Sequence, residues 1–216
     1  MKTLRQLSVI PVTILLLAGC KTGNYEKGAD TASGLTESGN RIAAGNAKID
    51  ATLAALNDLV NNPQTDAVPK FKKYSSAVSD LESAGKDVSA KVTSMRESGN
   101  EYFKAWDQQL AAIKNEDIKS RSAERRAEIQ QKFTEIKKNY VEAGDAFKPF
   151  MSDLKDIQTA LSTDLSAGGI ASVKGAADKA NKDAVPLKET INKLSAQFKD
   201  LGVALASAPQ PAAPAK

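Results

Sequence analysis

Histidine is absent from all 216 residues, and cysteine occurs once. Without histidine there is no imidazole proton shuttle, no Ser-His-Asp or Cys-His nucleophile system and none of the usual zinc ligand sets. No Gly-rich phosphate loop of the GxxxxGK[ST] or GxGxxG kind is present. Carboxylate-only catalysis and a Ser-Lys dyad stay formally open, but no serine–lysine spacing stands out against the many lysines. The sequence therefore predicts a protein that is not an enzyme, with no cofactor and no metal. No run of alternating polar and apolar residues occurs, so strands are not expected.

The single cysteine ends a signal. Lys2 and Arg5 form a positive start, Leu7 to Leu17 an apolar stretch, and Leu17-Ala18-Gly19 leads with small residues into Cys20. Eleven residues are too few to span a bilayer core of about 30 Å, which takes roughly 20 in a helix. The small-small-Cys ending resembles the lipobox of bacterial lipoproteins, which implies export, cleavage after residue 19 and a multiply acylated Cys20 as the lipidation site. Two or more acyl chains hold a protein firmly on a membrane where one does not. In Gram-negative lipoproteins an aspartate after the cysteine commonly retains the protein at the inner membrane. Lys21 stands there instead, so the resemblance implies the outer membrane, facing the periplasm.

Without Lys2 and Arg5 the chain keeps 28 basic and 26 acidic residues, a net charge of +2. The signs are interleaved, which reads as solvated helix surface and excludes a nucleic-acid footprint. After a tether over residues 20–28, apolar residues recur at alternating three- and four-residue steps. One series runs Phe71, Tyr74, Val78, Leu81, Gly85, Val88, Val92, Met95, Gly99, Tyr102, Trp106. Others run from Ile118 to Leu161 and from Val173 to Leu205, and a weaker one from Leu35 to Leu59. A step averaging 3.5 residues marks left-handed supercoiled helices.

Breaks fall at Asn61-Asn62-Pro63, at Asn115 and at Ala167-Gly168-Gly169. Short turns make consecutive helices antiparallel. The expected fold is all-α: an elongated up-down-up-down bundle of four long helices with coiled-coil packing over residues 29–206, then a flexible Pro/Ala-rich tail over residues 207–216. Folding back at Asn115 sets Gly99 against Phe133, Gly85 against Phe147 and Ile113 against Ile118. Nine of the eleven aromatics lie on the stripes as core residues, with Tyr25 and Phe103 the exceptions. Pro149 and Pro186 lie at nearly one level, close to Gly45 and Gly85, where a shared bend is expected.

Helix one is expected to begin near residue 29 and helix four to end near Leu205, so helices two and three should project alone over residues 103–128. Between residues 114 and 126, Lys114, Lys119, Arg121, Arg125 and Arg126 outnumber Glu116, Asp117 and Glu124, a local +2. Trp106, Arg121, Arg125 and Arg126 are the candidate contact residues, for a protein partner or for anionic lipid. The plainer reading is a solvated hairpin end with an arginine stacked on Trp106.

The mature sequence also resembles a family of uncharacterised bacterial lipoproteins known as a domain of unknown function. The likeness rests on Ile49-Asp50-Ala51-Thr52 with Ala55-Leu56, on Tyr102 to Leu110, and on Ser152-Asp153-Leu154-Lys155-Asp156. It implies no assigned activity. The function expected is a non-enzymatic envelope lipoprotein, a helical scaffold or adaptor anchored to the membrane through Cys20. The alternative is a membrane-active protein whose hairpin binds or remodels bilayers. If Cys20 is the lipid acceptor, Cys20→Ala should lose metabolic lipid labelling and leave an unprocessed or soluble form. A variant with its signal removed that still resists carbonate washing would contradict this.

Overall fold

A computed structural model describes residues 23–62 and 66–206. Cys20, the signal, Pro63 and the Pro/Ala-rich tail lie outside the described residues. Among the described residues the fold is all helix, with no strand: α1 (Gly23–Asn61), α2 (Ala67–Ala112), α3 (Glu116–Thr163), α4 (Ala167–Ser172) and α5 (Lys174–Ala206).

The ends of these helices follow from local chemistry. Asp66 caps α2 by accepting the Val68 N–H, and Asn115 caps α3 by accepting the Ile118 N–H, with Glu116 and Asp117 in the first turn. The break after α3 differs from expectation. It falls at Asp164-Leu165-Ser166, and Ala167-Gly168-Gly169 opens the extra helix α4. Two side chains favour that outcome: Asp164 accepts the Ser166 N–H and Ser166 Oγ accepts the Gly169 N–H, which turns the chain and caps a new helix. The start of α1 is also earlier than expected, because residues 23–28, read as tether, are helical.

Side-chain contacts fix how the long helices lie together. Lys91 reaches Glu37, Lys48 reaches Asp80 and Lys70 reaches Asp58, so α1 and α2 run antiparallel. Asn57 and Asn181 exchange hydrogen bonds, Lys188 pairs with Asp50, and Ser195 Oγ donates to the Gly39 carbonyl, which makes α1 and α5 antiparallel too. Trp106 with Ser122 and Tyr74 with Leu154 set the same relation for α2 and α3, as Asn139 with Gln197 and Lys179 with Asp153 do for α3 and α5. The apolar stripes meet inside in two clusters. One surrounds Leu56, Tyr74, Phe150, Leu154 and Ala180; the other surrounds Leu35, Met95, Ile129, Ile136 and Phe198.

No described residue has a positive φ, so the glycines serve space rather than turns. A Cβ on Gly99 would come within 2.5 Å of the Phe133 ring, and one on Gly85 within 2.9 Å of the Phe147 ring. The expected ring-on-glycine pairing is thus present at both levels. Gly39 and Gly202 meet backbone as well as side chains: a Cβ there would lie 2.9 Å from the Ser195 carbonyl and the Ala32 carbonyl respectively, with the Thr36 hydroxyl closer still to Gly202. These two bring α1 and α5 close. Pro149 and Pro186 do not interrupt their helices, which run continuously through them.

Two sequence-based expectations change inside this frame. Phe103 is core, only 5 % exposed, because it stands edge-on to Phe133 at 5.4 Å between centroids. Ile118 does not stay in the seam with Ile113, since it is 58 % exposed.

Two predictions follow from packing and charge. Gly39→Ala, Gly202→Ala, Gly85→Leu and Gly99→Leu should each cost about 1–3 kcal/mol by overpacking, against a helix-propensity gain of at most about 1 kcal/mol. Gly34→Ala, whose Cβ meets nothing within 4 Å, should instead stabilise by about 0.4–1 kcal/mol. Urea unfolding read by circular dichroism separates the two classes, and uniform stabilisation would overturn the packing assignment.

Glu82 receives hydrogen bonds from Lys155 of α3 and Lys86 of its own helix, which hold its carboxyl at about 2 instead of its ordinary 4.5. A lowered carboxyl stabilises the fold fully above pH 4.5 and loses that contribution as pH falls through about 2. The melting temperature of Glu82→Gln should therefore lie below wild type at neutral pH, with the gap closing towards pH 2. A gap independent of pH would contradict the ion-pair origin.

Candidate functional site

The α2–α3 turn stands out by what it fails to bury. From Trp106 to Glu128 no residue is buried, whereas Ala105 and Ile129 on either side are. Hydrophobic stripes close a core only where a further helix covers them, and here the covering helices run out. Arg125 donates to the Ala204 carbonyl, two residues from the end of α5 at Ala206. A Cβ on Gly28 would lie 3.3 Å from the Tyr102 ring, so α1 flanks α2 at that level and its first residues extend beyond it. The projecting part is accordingly shorter than the expected 103–128, since Phe103 and Ala105 belong to the core.

Trp106 sits at the base of the tip. Its indole N–H donates to Ser122 Oγ at 3.0 Å, and its ring lies 5.5 Å from that of Tyr102. Burial pushes the Tyr102 hydroxyl above its ordinary value, with the Arg125 charge opposing. Among the described residues no arginine stacks on Trp106. Arg126 lies over Phe103, its guanidinium carbon 5.3 Å from the ring centroid, and grips the Asp107 carboxylate at 2.6 and 2.7 Å. Phe103 faces the gap between the two helices, and the long Arg126 side chain covers that ring while its head reaches Asp107. Arg125 pairs with Glu128 at 3.1 Å, and Lys119 approaches Glu116 at 3.7 Å.

The four candidates thus separate. Trp106, Arg125 and Arg126 tie the two arms to each other and to α5. Arg121 is exposed and makes none of these ties. The exposed face of the tip combines Arg121 and Lys114 with Ile118. Ile118 carries the same stripe spacing as a core residue, so its exposure was hidden in the sequence by its own periodicity.

A second feature, absent from the sequence-based candidates, lies at mid-length: a cavity of about 410 Å³ reached by all four long helices. Gly45, Gly85 and Gly144 line it. Three glycines converging on one level, beside Pro149 and Pro186, were the available signal. Among the described residues no cluster of three or more acidic, histidine or cysteine side chains is arranged to hold a metal. No described helix is long and apolar enough to cross a membrane.

Residues 35–200 match one protein family, described as a protein of unknown function (DUF2959). No curated protein and no solved structure matches the chain.

Proposed function

The chain belongs to that family of unknown function, and from this premise we propose that it is a non-enzymatic, lipid-anchored scaffold or adaptor of the bacterial envelope. In this reading Cys20 carries the lipid, the outer membrane holds it, and the long helices form one elongated up-down-up-down bundle standing in the periplasm. The observation that carries the proposal is the α2–α3 tip, uncovered by α1 and α5 and exposing Ile118 between Lys114 and Arg121. An exposed apolar side chain on a tip that also exposes Lys114 and Arg121 suits a partner that offers a shallow apolar dent and acidic groups beside it. The tip lies at the same end as the start of α1, hence on the anchored side, where the partner would be membrane-bound or membrane-proximal.

The test must spare the residues that hold the tip together. Trp106→Ala with Arg125→Ala and Arg126→Ala removes the Ser122 hydrogen bond, the Glu128 pair and the Asp107 pair at once, so a lost phenotype could reflect a loosened tip. Lys114→Ala with Ile118→Ala and Arg121→Ala touches only the exposed face. Helicity should be unchanged in the second variant, while the main partner cross-linked in intact envelopes disappears. Unchanged partner recovery would overturn the contact proposal. Flotation with anionic vesicles tests the membrane-binding alternative: attraction that falls with salt and with these substitutions would favour headgroups as the contact.

A further inference from the structure

The mid-bundle cavity divides the core. Leu56, Tyr74 and Phe150 belong to the cluster on one side, Met95, Ile136 and Phe198 to that on the other, and Ile191 packs against both. The cavity's volume of about 410 Å³ falls within the roughly 300–1,000 Å³ of small-molecule sites, which are common between the helices of bundles.

Its walls are aliphatic and aromatic: Ile42 and Ile49 from α1, Val88 from α2, Phe147 from α3, Leu187 and Ile191 from α5. Charged lining groups are confined to Asp145 and Lys148, which are exposed and pair with each other at 3.0 Å. A ligand polar along its length would surrender hydrogen bonds to water and recover none inside. An apolar one loses nothing on entry. The lining spans Leu81 to Ser89 on α2 and Tyr140 to Lys148 on α3, about 12 Å along each helix at 1.5 Å per residue. The lined length thus runs along the helices, with the charged groups at the α3 wall.

Packing alone does not account for the space. A Cβ added at Gly45 or Gly144 would meet nothing within 4 Å, and alanine in mid-helix is better than glycine by about 1 kcal/mol. Larger residues at these two positions would narrow the cavity and strengthen both helices, yet the chain carries glycine at each.

We propose that this cavity binds a single aliphatic chain of the fatty-acyl class, lying along α2 and α3 with its head at the Asp145–Lys148 rim. The chain would be supplied by a free fatty acid or by the acyl chain of a bilayer lipid. The proposal is independent of the tip contact.

Photolabelling of the purified full chain tests it with two probes, a diazirine-bearing palmitic acid and a phospholipid with a diazirine-bearing acyl chain in vesicles. Label should map to peptides containing residues 81–89 and 140–148. Label from the acid alone identifies a free fatty acid as the occupant, and label from the phospholipid alone a bilayer lipid. Gly45→Leu and Gly144→Leu should each lower that label about tenfold or more, whereas Gly34→Leu, open but outside the cavity, should leave it unchanged. Circular dichroism establishes which variants are folded, and either folded one decides the matter. Absence of label on both segments with both probes overturns the proposal, as does full labelling of a folded Gly45→Leu or Gly144→Leu protein.

Discussion

The close seating of α1 against α5 governs the rest of the molecule. Gly39 and Gly202 leave no room for even a methyl group, and Ser195 donates its hydroxyl hydrogen to the Gly39 carbonyl at 2.8 Å in the buried contact. Two helices at such a distance gain dispersion contacts along their whole backbones. They also forfeit freedom to slide, because each small residue fits only one opposing carbonyl. The reciprocal Asn57–Asn181 amide pair pins the same register farther along. From this pair the positions of α2 and α3 follow: α2 packs on α1, and α3 packs on α5.

On the far side the side chains are large. Phe133 and Phe147 of α3 already press on Gly99 and Gly85 of α2, so those two helices are wedged apart by rings where α1 and α5 are drawn together by glycines. Charged links also span the wider gap, with Lys155 reaching Glu82 and Arg126 reaching Asp107. The mid-bundle cavity sits where this separation coincides with Gly45 and Gly144, which contribute no side chain to fill it. Asymmetry of packing, tight on one flank and propped open on the other, thus leaves room for the cavity, whereas the hairpin outruns its neighbours because α1 and α5 end short of it.

The tip illustrates how stability and recognition divide a small set of residues. Trp106 and Arg126 have the composition of an interaction hot spot, but the indole N–H is spent on Ser122 and the guanidinium is held against Asp107. What remains outward is smaller and less conspicuous: an exposed isoleucine between a lysine and an arginine. Residues that a partner would meet first are those that the tip does not need for its own cohesion.

The sequence by itself determined the helical class, the antiparallel neighbours and the ring-on-glycine levels. A 3.5-residue stripe selects helices that pack along one face, short turns set neighbours antiparallel, and Asn115 with Glu116 and Asp117 marks a helix start without any tertiary help. It also contained the signals for the Asp164–Ser166 turn, although Gly168-Gly169 is the louder break by composition. Only the tertiary structure decided which stripe residues stay wet. Ile118 keeps core spacing yet lies past the reach of α1 and α5, while Phe103, off the stripe, is buried where its ring stands edge-on to Phe133. Periodicity states which face of a helix is apolar; whether that face is covered depends on where other helices end. The cavity is of the same kind, because an unfilled space belongs to no residue and arises only where four helices fail to close around Gly45 and Gly144.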